Sequence, residues 1–197
     1  MRRIIILVFV SCLTLLACKK KEDVVLAIDE LDYNEESIKL MDSIRPNFLG
    51  TWNMKEIKVK AFAPFTTEIG IYKDTILNDL AVLELTGVDN YSQQYYNENN
   101  DITGVLKFRN KIFPVGFTMR SSGERILKKI GPQAFALFEY RFPVGSHPST
   151  IEEDYLGNLS LLAEVYSMEM SPDGKTMVWK GLNRAIKEIQ FVKNNSI

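Results

Sequence analysis

Few side chains in this chain are equipped for chemistry. The thiols are Cys12 and Cys18, and the one histidine is His147. A thiol beside a histidine can act as a nucleophile, and clusters of either type ligate zinc. Beyond Cys18 there is no further cysteine, and His147 stands alone in the turn-forming Gly145-Ser146-His147-Pro148. That leaves neither a usual zinc set nor the members of a Cys–His or His-based serine triad. Glu152-Glu153-Asp154 offers hard oxygens to calcium, but without the alternating spacing of a calcium loop it also reads as a solvated turn. Paired carboxylates can hydrolyse glycosides, yet no pair stands out. Tyr91-Ser92-Gln93-Gln94-Tyr95-Tyr96 could grip a glycan or peptide with flat rings and amides, or form an amphipathic edge strand. The sequence points to no catalytic set, no metal and no cofactor, so the expected role is non-enzymatic.

The chemistry best specified by its context is that of Cys18. Met1-Arg2-Arg3 makes a positive n-region, Ile4 to Leu16 an apolar run, and small Ala17 precedes the cysteine. This is the build of a secretory signal over residues 1–17, too short for a comfortable membrane span of about 20 residues. Leu15-Leu16-Ala17-Cys18 resembles the bacterial lipobox. That resemblance implies cleavage before Cys18 and acylation of its thiol and amino group with palmitate-type chains. Several chains anchor stably where one binds only marginally. No aspartate follows Cys18, so the enterobacterial inner-membrane retention signal is absent. Lys21-Glu22-Asp23 resembles the lysine-plus-acid signal of Bacteroidetes-type surface lipoproteins, or is a solvated tether. The expected location is the outer membrane, lipid-anchored, on its periplasmic or cell-surface face.

From Cys18 onward about 180 residues remain, enough for one domain with a real core. Without Arg2 and Arg3 the 24 basic residues fall to 22 against 25 acidic ones, a net charge of about −3. No basic field favours nucleic acid. With Cys18 acylated, no disulfide is available and stability must come from packing.

Residues 18–46 read as an acidic tether holding a short helix. Asn34 could cap it, Glu35 and Glu36 suit its first turn, and Ile38, Met41 and Ile44 fall on one face, to dock or to lie on the surface. Pro46 is expected to close it. From residue 47 the pattern is β. Phe113, Val115, Phe117 and Met119 alternate with smaller residues, although Pro114 argues for an edge or bulge. Ala134 to Phe142 reads as a strand covered on both faces over its first half. Met168-Glu169-Met170 and Met177-Val178-Trp179 flank Ser171-Pro172-Asp173-Gly174-Lys175, a hairpin signal. Further strands are expected at Trp52–Ala61, Val82–Thr86, Tyr91–Tyr96, Thr103–Arg109, Glu124–Ile130, Leu161–Ser167 and Ala185–Lys193. Residues 75–81 also fit a helical turn. The count suggests an all-β antiparallel barrel, or an open β-sandwich.

Asn47-Phe48-Leu49-Gly50-Thr51-Trp52 resembles the opening of a lipocalin-like domain, and the strand order of residues 47–197 resembles bacterial lipocalin-like lipoproteins. The resemblance implies an up-and-down barrel in which Gly50 turns the chain into the first strand and Trp52 plugs a closed end. It also implies a basic residue near the last strand over that tryptophan, for which Arg184 is the candidate. The apolar phase shifts between Met54 and Ile57, as a bulge would require.

Such a barrel either encloses a small ligand or is filled by side chains. Met54, Phe113, Phe117, Met119, Phe138, Met168, Met170 and Met177 are the candidate cavity lining, or simply core. The leading expectation is binding of a small hydrophobic ligand or envelope component. The alternative is an accessory subunit docking an outer-membrane or cell-surface protein. An open apolar cavity would favour the first, and a filled interior with exposed apolar groups the second.

Overall fold

The computed structural model describes residues 31–87, 101–142 and 149–194. Cys12, Cys18, Tyr91–Tyr96 and His147 lie outside the described residues. Strand β1 (Gly50–Val59) is followed by the four-residue helix α2 (Phe65–Glu68), β2 (Thr75–Asn78), β3 (Val82–Thr86), β4 (Asp101–Phe108) and β5 (Lys111–Ser121). Then come α3 (Gly123–Lys128), β6 (Ala134–Tyr140), α4 (Ile151–Asn158), β7 (Glu164–Met170), β8 (Thr176–Gly181) and β9 (Ile186–Lys193). Helix α1 (Tyr33–Phe48) precedes them all.

From β3 onward each strand pairs antiparallel with the next, β3 pairs with the first half of β1, and β9 returns to β1. Eight strands therefore close an up-and-down barrel, and the open sandwich is set aside. The extra strand β2 pairs only with the second half of β1, so residues 75–81 begin as a strand and not as a helical turn. Leu77 turns toward the core there while Ile76 stays outside.

Strands β4 to β7 bury alternate residues, as a two-residue period demands. The expected phase change in β1 is a register shift between Met54 and Glu56, so Trp52, Met54, Ile57 and Val59 all face inward. Pro114 sits in an interior strand, against expectation. Its carbonyl accepts from Arg141 N at 2.9 Å, just past the last β5–β6 pair, Val115 with Tyr140. A residue's N–H and C=O point to the same side of a strand, so the missing donor falls where the β6 ladder stops.

Three further expectations are corrected. Residues 124–130 do not form a strand. Ser122 accepts from Arg125 N at 3.4 Å and Lys129 ends α3 in the left-handed region, φ 59°. Glu152-Glu153-Asp154 is the acidic first turn of α4. Thr150 and Glu153 form a reciprocal capping box there. Helix α1 runs through Pro46 to Phe48, because Phe48 is fully buried against Phe117 and Trp179. Burying that ring contributes about 2–3 kcal/mol, comparable to the cost of an interior proline. From Asn34 onward α1 belongs to the barrel's own compact unit.

The connections sort onto two ends. At the end where α1 delivers the chain to β1 lie α3, the β7–β8 turn and the close of β9. This is the tether end. At the far end lie the β1–β2 connection with α2, the β4–β5 turn, α4 and the β8–β9 turn.

Candidate functional site

The lumen centres on Trp179. Its ring lies 5.2 Å from Phe117, 5.7 Å from Phe138, 5.5 Å from Tyr166 and 4.6 Å from Phe191. Phe48 of α1 stacks on it at 6.2 Å. Phe117 comes from β5 and Phe191 from β9, four strands apart in an eight-strand circle, so Trp179 bridges the barrel's width. The eight candidate lining residues are all buried, Met170 being the most exposed at 8 %. They join one core with the rings around Trp179.

At the tether end of the lumen Trp52 is buried with its polar atom satisfied. Trp52 Nε1 donates to the Phe48 carbonyl at 2.8 Å, meeting an acceptor that the end of α1 leaves open. Gly50 holds φ 119°, and a Cβ there would stand 3.0 Å from the Lys193 side chain. Lys193 Nζ lies 5.1 Å above the Trp52 ring and donates to Asn47 O at 2.8 Å. The basic cover over Trp52 is therefore Lys193, and the expectation for Arg184 is corrected. In an antiparallel closure the first residues of β1 meet the last of β9, and Trp52 pairs in register with Lys193. Arg184 precedes β9 at the opposite end. The signal that could have found Lys193 was thus the direction of the last strand.

The far end is different in kind. Leu156, Leu159, Leu161 and Leu162, on α4 and the segment after it, bury into the core. Arg184 Nε lies 3.3 Å from Glu164 Oε2, with the carboxylate side chain 7 % and the arginine side chain 53 % exposed. Glu164 Oε1 accepts from Val165 N at 3.1 Å. Tyr166 Oη reaches the Leu161 carbonyl at 2.9 Å and the Ser160 carbonyl at 3.1 Å. Burial pushes that phenol well above its ordinary range, and the Glu164 charge adds to the rise. Burial also raises Tyr140, with Glu153 and Asp154 contributing. Among the described residues, Tyr140 Oη and Trp179 Nε1 are buried without a hydrogen-bond partner, and Glu164 Oε2 has the Arg184 ion pair but no hydrogen bond.

Outside the barrel wall, the far end carries a groove of about 620 Å3 between β2, the end of β1 and the start of β9. Lys58, Lys60, Lys187 and Asp74 rim it, and Ile76 gives it an apolar wall. Lys187 is the extra residue of the second β1–β9 register shift, between the Lys58–Glu188 and Val59–Ile186 pairs. Lys58 Nζ donates to Glu188 Oε1 at 2.7 Å. That bond raises the lysine's pKa and lowers the carboxylate's. At the same end, in and before α2, Phe62 and Phe65 stack on each other at 5.7 Å. Both rings are at least 39 % exposed, Ile76 and Leu182 about half, and Tyr72 76 %. Sequence reading passed over these residues because single apolar residues in loops carry no periodic signal.

Among the described residues no group of three or more His, Cys, Asp or Glu side chains is placed to hold a metal ion. The Glu152-Glu153-Asp154 run instead holds the start of α4, Glu153 accepting from Thr150 N at 3.1 Å. What the far end offers chemically is recognition: flat rings, aliphatic groups and cations on one rim. No family model matches the chain, and no curated protein or solved structure matches it.

Proposed function

We propose that this chain is a lipid-anchored envelope protein, held through acylated Cys18, whose barrel is a non-enzymatic module docking another envelope protein on its far end. The observation that carries this reading is a contrast. Trp179 spans the lumen among five aromatic rings, whereas Phe62, Phe65, Tyr72, Ile76 and Leu182 stand exposed at the far end, where Ile76 walls a lysine-rimmed groove. Exposed aromatic and aliphatic anchors with a polar rim are the build of an interaction patch.

The test is the size of the particle extracted from its own envelope in mild detergent. A complex larger than one copy is expected, and Phe65→Asp with Tyr72→Asp should reduce it to a single copy while the fold persists. A single copy in both cases would defeat the docking reading. Cys18→Ala should release the protein from membranes washed at high salt, and a mutant that still sediments with them after the wash would defeat the anchor.

A second reading has its own support. Among the described residues, buried Tyr140 Oη and Trp179 Nε1 without polar partners, and Glu164 Oε2 met only by the Arg184 ion pair, are atoms that a small polar-headed ligand inside the barrel would satisfy. Native mass spectrometry separates the two readings. A reproducible small added mass that leaves on mild activation would favour the enclosed ligand.

A further inference from the structure

We infer that the tether end is a membrane-resting face, in which α3 and the residues after it lie against anionic lipid. The residues from Arg120 to Ile130 carry four cations, Arg120, Arg125, Lys128 and Lys129, against one carboxylate, Glu124. Ile126 packs inward at 2 % exposure, while Leu127 and Ile130 face outward at 54 % and 55 %. Two outward aliphatic side chains flanked by cations match the acyl–headgroup boundary. The aliphatic groups enter the apolar layer and the cations meet phosphate.

The route of the chain places this patch beside the start of α1. Ser37 of α1 hydrogen-bonds Ser121, immediately before α3. Glu36 lies 3.7 Å from Lys129. The start of α1 therefore stands beside α3, and only residues 19–32 separate Cys18 from Tyr33. Anchor and patch then act together. Acyl chains hold the protein at the surface, and α3 sets which way up it stands. With α3 on the lipid, the groove between β2 and β9 at the far end is turned toward partners. The ion pairs Lys128–Glu124 at 3.3 Å and Lys129–Glu36 at 3.7 Å are exposed, and such pairs hold their cations only weakly against a charged surface.

The orientation rests on the anchored reading, but its test does not. The probe is the chain from residue 18 onward carrying Cys18→Ser, and so unacylated. It is floated with vesicles of phosphatidylethanolamine containing about a quarter phosphatidylglycerol, and separately with phosphatidylcholine vesicles. Salt-sensitive binding to the anionic vesicles is expected. It should weaken about tenfold in Leu127→Glu/Ile130→Glu and about as much in Arg125→Glu/Lys128→Glu. Tyr72→Glu at the far end should leave it unchanged. Leu127, Ile130, Lys128 and Tyr72 are exposed and Arg125 is half-buried with its guanidinium on the Lys129 carbonyl, so an unchanged circular dichroism melt is required of each variant to show that it is folded. No binding to anionic vesicles, binding indifferent to both α3 variants, equal binding to phosphatidylcholine, or loss with Tyr72→Glu would each overturn the inference. Failure of the anchor would appear separately, as Cys18→Ala protein staying on membranes through a high-salt wash that removes α3-mediated binding.

Discussion

The two ends of the barrel solve the same problem in opposite ways. At the tether end the polar atom that enters the core is matched. Trp52 Nε1 finds the last carbonyl of α1, and Lys193 closes over the ring from outside. At the far end α4 brings in leucines, but among the described residues Tyr140 Oη remains without a hydrogen-bond partner and Glu164 Oε2 has only the half-exposed Arg184 as an ion pair. Aromatic rings stand in solvent at that end, which also carries the groove between β2 and β9. Sequences usually satisfy local rules throughout and depart from them where function requires it. Around Trp52 the tether end is fully matched, whereas the far end leaves buried polar atoms and exposed rings, which is the contrast on which the proposed docking role rests.

The largest expected effect tests the scaffold. Trp52→Ala should destabilise by about 3–5 kcal/mol in urea titration, since the side chain is fully buried and anchors α1. An unchanged midpoint would remove the plug and the contrast with it. Gly50→Ala should cost about 1–3 kcal/mol through its positive φ and the Lys193 contact, measured the same way.

Two tyrosines then set the far end against itself. Tyr166→Phe removes a bonded hydroxyl and should cost about 1 kcal/mol. Tyr140→Phe removes an unpartnered one and should be neutral or stabilising by up to about 1 kcal/mol. Equal losses would mean that Tyr140 has a partner after all, and the far end would be as well satisfied as the near one. Both phenols are raised above the ordinary 10.0. The native state then keeps protons that the unfolded chain releases above about pH 10, so stability is intact below that pH and falls as pH rises beyond it. Tyr140→Phe should lessen the fall in urea midpoint between about pH 8 and 11. The smallest effect is Tyr72→Ser, expected within about 0.5 kcal/mol of wild type by thermal melt, because that ring is mostly in solvent.

Much of this division was legible in sequence, and its gaps have physical causes. Val82–Thr86 is a strand at the expected residues, and the phase change after Met54 marks the bulge that turns β1. Alternation survives because burial on one face enforces it. Helices α3 and α4 escaped notice because each is one or two turns long, and caps at Ser122 and Thr150, more than periodicity, define them. Pro46 misled because the drive to bury Phe48 outweighs a local backbone preference. Arg184 was the wrong basic residue because spacing along the chain says nothing of which end of the barrel a residue reaches. The exposed rings at Phe62, Phe65 and Tyr72 needed the fold to appear as a group.

The most direct test of the two-ended organisation is thiol accessibility on the protein in membranes of its own cell, with Cys18 acylated as proposed. Single cysteines replace Leu127 and Tyr72, and each reacts with a water-soluble maleimide before and after detergent extraction. The expected result is Cys reactivity at Leu127→Cys that rises about tenfold on extraction from the bilayer, with Tyr72→Cys not shielded by lipid. Equal reactivity at Leu127→Cys before and after extraction, or lipid shielding at Tyr72→Cys instead, would contradict it.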